Sequence, residues 1–139
     1  MRGLVHHIVL TVRDPDRSFP LYDLVLTALG YRKSERGFDW ELATPSGSHS
    51  IHLGRASEDR AKDRHDRYSP GLHHLAWGVD SREEVDRIYQ RLLSAAASIL
   101  DSPAEYPQYN KGRGYYAVFF ADADGLKLEC VYTPLPTSA

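Results

Sequence analysis

The sequence predicts an α+β fold built from two like halves, each running strand, helix and then about three strands. Two observations carry this reading. A histidine-led apolar run occurs twice, as His7-Ile8-Val9-Leu10-Thr11-Val12 and His74-Leu75-Ala76-Trp77-Gly78-Val79, 67 residues apart. The same offset carries into the next segment, where Tyr22 falls on Tyr89, Val25 on Leu92 and Leu26 on Leu93. Internal similarity at a fixed period marks a duplicated unit.

The elements follow in chain order. Val12 closes a first strand, and Tyr22, Val25, Leu26 and Leu29 then share one face of a helix that Gly30 stops. Pro20 is expected in that helix's first turn, where no amide donor is missed. Strand-like runs follow at 31–33, 38–42 and 50–53. In the second half, Val85, Ile88, Tyr89, Leu92, Leu93 and Ala96 recur at helical spacing. Ser81 with Glu84 three residues on reads as a capping box for that helix. Shorter runs near 97–100, 115–120 and 126–132 complete the half. Residues 101–114, rich in Pro, Gly, Tyr and Asn, read as a loop covering something.

The 139 residues fit one domain, with module 1 at about 4–55, a charged linker at 56–70 and module 2 at about 71–134. Each half alone buries its sheet face poorly, so two curved sheets are expected to come together around a central cleft. Hydrophobic residues at 42% and charged residues at 26% are ordinary globular composition. A net charge of −2 offers nucleic acid no electrostatic footprint, so no nucleic-acid partner is expected. No apolar run reaches the roughly 20 residues of a membrane span, so no membrane partner is expected either. The N-terminal stretch does not read as a signal peptide, and the lone Cys130 asks for no oxidising compartment, so the expected location is cytoplasmic.

The chemistry sits in the histidines and one glutamate. His6-His7 and His73-His74 are doublets whose members point to opposite sheet faces, and alternation does not say which member faces the cleft. Glu129 lies in the apolar run 126–132, after the turn Asp122-Ala123-Asp124-Gly125. A carboxylate in such a strand needs a partner, and a cation would supply one. Two imidazoles and one carboxylate suit Zn, Ni, Fe, Mn or Co with positions left open for substrate or water. A histidine beside a ligand can fix that ligand's tautomer.

These residues carry a resemblance. The runs His7–Asp14, Ser18-Phe19, Leu29-Gly30-Tyr31, Gly71–Trp77, Tyr115–Phe120 and Asp122–Glu129, in that order, resemble the vicinal oxygen chelate superfamily. That superfamily includes glyoxalase I, bleomycin- and fosfomycin-resistance proteins and extradiol dioxygenases. The resemblance covers about residues 4–134. It implies two βαβββ modules forming curved mixed sheets around a cleft. It also implies a divalent metal on His7, His74 and Glu129, and a homodimer whose modules pair within one chain or across two. The fourth ligand position departs from glyoxalase I, which carries a second Glu or Gln there. One matching of the last strand of module 1 puts His52 in the slot, and the other puts Ile51 there.

The implied function is a small metal-dependent enzyme that captures a small-molecule substrate through two adjacent oxygens, of lyase or isomerase type. The alternatives are an extradiol-type dioxygenase, or a metal-free protein that binds or sequesters a drug-like molecule. The site candidates are His7, His52, His74 and Glu129 for the metal, Glu129 and Tyr115 for catalysis, and Trp40, Trp77, Tyr109 and Arg113 for substrate, with Trp40 and Trp77 read as either cleft wall or core. Tyr106, Tyr116 and Lys111 lie on or beside the same loop as Tyr109 and Arg113.

Overall fold

The computed structural model describes residues 2–136. The chain divides into two compact units between Arg64 and His65. The first contains β1 (His7–Val12), α1 (Pro15–Ala28), β2 (Arg32–Lys33), β3 (Asp39–Thr44) and β4 (Gly47–Arg55). The second contains β5 (His74–Val79), α2 (Arg82–Ser94), β6 (Ser98–Glu105), β7 (Tyr116–Ala121) and β8 (Lys127–Tyr132). Each is a βαβββ module with one four-stranded mixed sheet. The strand orders are β1-β4-β3-β2 and β5-β8-β7-β6. The first strand of each module pairs parallel to the last, and the remaining pairs are antiparallel. The duplication read in the sequence is a duplication of topology.

Both helices begin on side-chain caps. Asp14 Oδ1 accepts from the Asp16 amide at 3.2 Å, and Ser81 Oγ accepts from the Glu84 amide at 3.1 Å. Glu84 in turn reaches back to the Asp80 amide at 2.9 Å. Pro15 takes the first helical position, so Pro20 lies inside α1 and not in its first turn as expected. The helix starts earlier because Asp14 caps it and Pro15 needs no donor there. Its end has Gly30 at φ +91°, with the Gly30 and Tyr31 amides donating to Thr27 and Leu26 carbonyls. The second helix closes the same way, but with Ala96 in the left-handed region at φ +53°.

The strand β6 runs to Glu105, through residues expected to be loop. It lies at the sheet edge and pairs only with β7, with register shifts between Ile99 and Ala104. An edge tolerates Pro103, whose missing amide breaks no ladder there.

Register assigns each side chain to a face. In the first unit Trp40 pairs with Ile51, stacks on Phe19 of α1 at 5.8 Å and donates from Nε1 to Asp23 of α1 at 2.9 Å. Trp40, Ile51, Leu10, Val12 and Leu53 therefore form the helix-side core, all buried. The opposite face carries His7, Val9, Ser50, His52, Asp39 and Glu41. In the second unit Tyr116 donates to Asp86 of α2 at 2.6 Å, which sets its face against the helix. Phe120, Leu128, Val118, Cys130 and Trp77 share that side, while His74, Ala76, Phe119, Lys127 and Glu129 occupy the other.

Candidate functional site

Each unit brings one pair of ligand-type side chains together on the sheet face away from its helix. In the first unit the His7 and His52 rings stand 5.9 Å apart, edge to face. In the second, His74 Nε2 lies 3.2 Å from Glu129 Oε2. Register explains both. Val9 is opposite His52 in β4, and Ala76, its counterpart at the 67-residue offset, is opposite Glu129 in β8. His52 is thus the positional equivalent of Glu129. The matching that put Ile51 in the slot gives way, because Ile51 points to the helix side with Trp40.

Glu129 is the most unusual side chain in the second unit. It is 0% exposed. Its Oε1 accepts from the Tyr115 hydroxyl. Its Oε2 is buried without a hydrogen-bond partner, although His74 Nε2 is 3.2 Å away. The two atoms lie side by side and do not bond each other. Ligands at about 2.0–2.2 Å from one tetrahedral or octahedral cation stand about 3–3.5 Å apart. The orphaned oxygen and the imidazole nitrogen therefore suit a shared divalent cation.

The Tyr115 hydroxyl is held protonated. Burial, and then the hydrogen bond to Glu129, push its pKa well above a phenol's ordinary value. Around it, Tyr106 stacks on Tyr109 at 5.6 Å and meets Phe119 edge-on at 5.4 Å. Tyr109 meets Tyr115 at 5.2 Å. Lys127 Nζ sits 4.4 Å from the Phe119 ring centre. The buried carboxylate is thus flanked by an aromatic wall and one ammonium. Arg113 folds back on its loop, donating to Asn110 Oδ1 at 3.1 Å and to the Asn110 carbonyl at 3.3 Å.

Trp40 and Trp77, read from sequence as cleft wall or core and offered as substrate-binding residues, belong to the core. Both are under 10% exposed and lie on the helix side of their sheets, opposite the histidines. Alternation sorts them only once the partner strands are known.

Sequence reasoning missed two partners of His52. Asp39 Oδ1 accepts from Nδ1 at 2.6 Å, and Ser50 Oγ stands 2.9 Å from Nε2. A signal for Asp39 existed. Counting outward from Thr44 opposite Gly47 in the β3–β4 hairpin brings Asp39 opposite His52. The doublet histidines also touch. The Nδ1 atoms of His6 and His7 are 3.0 Å apart, and those of His73 and His74 are 2.8 Å apart. Within either unit, no three His, Cys, Asp or Glu side chains gather as a metal-sized group among the described residues. No described helix is long and apolar enough to cross a membrane.

A duplicated βαβββ chain with histidines leading both first strands and a buried glutamate in the last defines a class. The family model of the Glyoxalase/Bleomycin resistance protein/Dioxygenase superfamily matches residues 4–130, and the chain belongs to that superfamily. YqjT of Bacillus subtilis (strain 168) is 29% identical over 130 residues, covering 91% of this chain and 97% of that protein. A solved structure from Bacillus halodurans has a TM-score of 0.72 and 26% identity, covering 94% of this chain and 96% of that one. The glyoxylase/bleomycin resistance protein/dioxygenase domain from Frankia sp. EAN1pec has a TM-score of 0.68 and 27% identity, covering 96% and 99%.

Proposed function

We propose that the protein is a metal-dependent enzyme of the glyoxalase type, acting as a lyase or isomerase on a small substrate with two adjacent oxygens. One observation carries the reading: Glu129 Oε2 is buried, unbonded and 3.2 Å from His74 Nε2. An ionised carboxylate oxygen left this way costs several kcal/mol, roughly, unless a cation joins it. His74 and Glu129 of the second module would hold a divalent ion, and His7 and His52 are the matching ligand-type pair that a first module, in this chain or in a second copy, offers. When bound, the ion supplies Lewis-acid polarisation of the substrate oxygens.

The chain's own groups have separate tasks. The Tyr115 hydroxyl keeps its proton, donates a hydrogen bond to Glu129 Oε1 and so fixes the carboxylate's rotation. Tyr106 and Tyr109 offer ring faces to the apolar part of a substrate. Lys127 places a positive charge on the same face, suited to an anionic substituent.

A second reading, a metal-free binder of flat molecules, draws on the same Tyr106, Tyr109, Tyr115 and Phe119 cluster. Metal analysis separates the two. Protein purified without chelator is expected to carry close to one divalent ion per site, lost in Glu129→Ala. Metal-free wild type that nevertheless quenches its fluorescence on binding an aromatic ligand would favour the binder. A mixed dimer of His7→Ala and Glu129→Ala subunits tests sharing between chains. Recovery of one intact site supports sharing, and its absence places each site within one chain.

A further inference from the structure

Three candidate ligand histidines show the same arrangement with different partners. His7 meets His6 through Nδ1 at 3.0 Å. His74 meets His73 through Nδ1 at 2.8 Å. His52 meets Asp39 through Nδ1 at 2.6 Å. For His52 the direction of the bond is fixed: a carboxylate only accepts, so Nδ1 carries the proton and the neutral ring keeps its lone pair on Nε2. The Ser50 hydroxyl, 2.9 Å away, can donate to that lone pair. For His74 the surroundings favour the same tautomer. Its Nε2 is 3.2 Å from Glu129 Oε2, yet Oε2 has no hydrogen-bond partner, so a proton on Nε2 would not be aimed at it. The proton belongs on Nδ1, where the His73 Nδ1 lone pair accepts it. The His6–His7 pair repeats that geometry in the other module, at the same offset in the chain.

We propose that His6, His73 and Asp39 are positioning residues, which hold His7, His74 and His52 as Nδ1–H tautomers and leave Nε2 of each as the electron-pair donor. The role assigns a purpose to the doublets: one member presents a nitrogen and its neighbour holds the ring. It deepens the metal-site reading and rests on it for the use made of Nε2. The tautomers themselves can be read without any metal. A fixed tautomer also spares the site the rearrangement that ion capture would otherwise demand, and partners of this kind typically change metal affinity by about 10–100-fold.

The test uses the full chain, chelator-treated and labelled with nitrogen-15 in histidine, read by long-range proton–nitrogen correlation at a pH where the rings are neutral. The expected wild-type spectrum shows His7, His52 and His74 with a protonated Nδ1 and a pyridine-type Nε2. His73→Phe and His6→Phe remove only exposed rings and each is expected to move its neighbour toward Nε2–H. His73→Asn, whose amide oxygen accepts from Nδ1, is expected to restore the wild-type tautomer. Nε2–H on His74 in wild type, or an unchanged His74 spectrum in His73→Phe, overturns the proposal. Cobalt(II) affinity, measured by competition with a chelator, forms a second arm. A loss of about 10–100-fold in His73→Phe with recovery in His73→Asn supports the role. Correct tautomers in a chain that binds no cobalt would uphold the positioning role and refute the metal-site reading. Tight cobalt binding that His73→Phe leaves untouched would do the reverse.

Discussion

Replacing Tyr115 by Phe removes one atom, the hydroxyl that donates to Glu129 Oε1. The other carboxylate oxygen already lacks a hydrogen bond, so the variant leaves a fully buried carboxylate with none. Hydrogen bonds to charged groups contribute about 1.5–3 kcal/mol. For a chain of 139 residues, 1 kcal/mol corresponds to roughly 3–4 °C in melting temperature, so a fall of about 5–12 °C is expected. The assay is thermal and urea denaturation of chelator-treated protein, within a double-mutant cycle with Glu129→Leu. Once the carboxylate is gone the hydroxyl has nothing to hold, so the double variant should be more stable than the two single losses predict, by about 1 kcal/mol or more. A Tyr115→Phe loss below about 0.5 kcal/mol, with no coupling, would refute the claim that this hydroxyl fixes the carboxylate.

The same phenol gives an alkaline signature. Its pKa is raised in the folded state, so its contribution is complete below the unfolded value near 10 and is lost as pH rises beyond it. The stability gap between wild type and Tyr115→Phe should therefore narrow above about pH 10; a constant gap would contradict it. Trp40→Phe should cost about 1–3 kcal/mol in urea denaturation, through the lost Asp23 bond and stacking area, while leaving cobalt affinity unchanged because Trp40 faces α1. Ala96→Gly should stabilise the chain by up to about 1 kcal/mol, since a left-handed residue with a side chain is strained, and a melting temperature that falls would contradict this.

Much of the fold was legible because the duplication is written twice. His7 and His74 open matching strands, and the Tyr22 and Tyr89 helices follow at the same spacing. Ser81 with Glu84 marked the start of α2, and Gly30 the end of α1. Long-range pairing was less legible. The faces of Trp40 and Trp77 depend on which strands lie beside them, and two-residue periodicity alone does not say which side the helix takes. Pro20 misled because the cap at Asp14 lies one turn further back than the apolar period suggests. At 101–105, Pro103 and polar side chains read as loop, yet an edge strand has one unpaired side that accepts them. Within the site, residue type and repeat offered the two histidine doublets and Glu129, and the choice of His7, His74 and His52 as ligands came from the family resemblance. Asp39 and Tyr115 become partners only through cross-strand register and the return of the loop.

The buried glutamate oxygen and the imidazole beside it are read as two ligands waiting for one cation, and diffraction addresses that directly. Crystals grown with cobalt(II) and measured at its absorption edge should show one anomalous peak within about 2.0–2.3 Å of both His74 Nε2 and Glu129 Oε2, absent in Glu129→Ala. No peak there at saturating cobalt, or a peak bound only by other residues, would contradict the account.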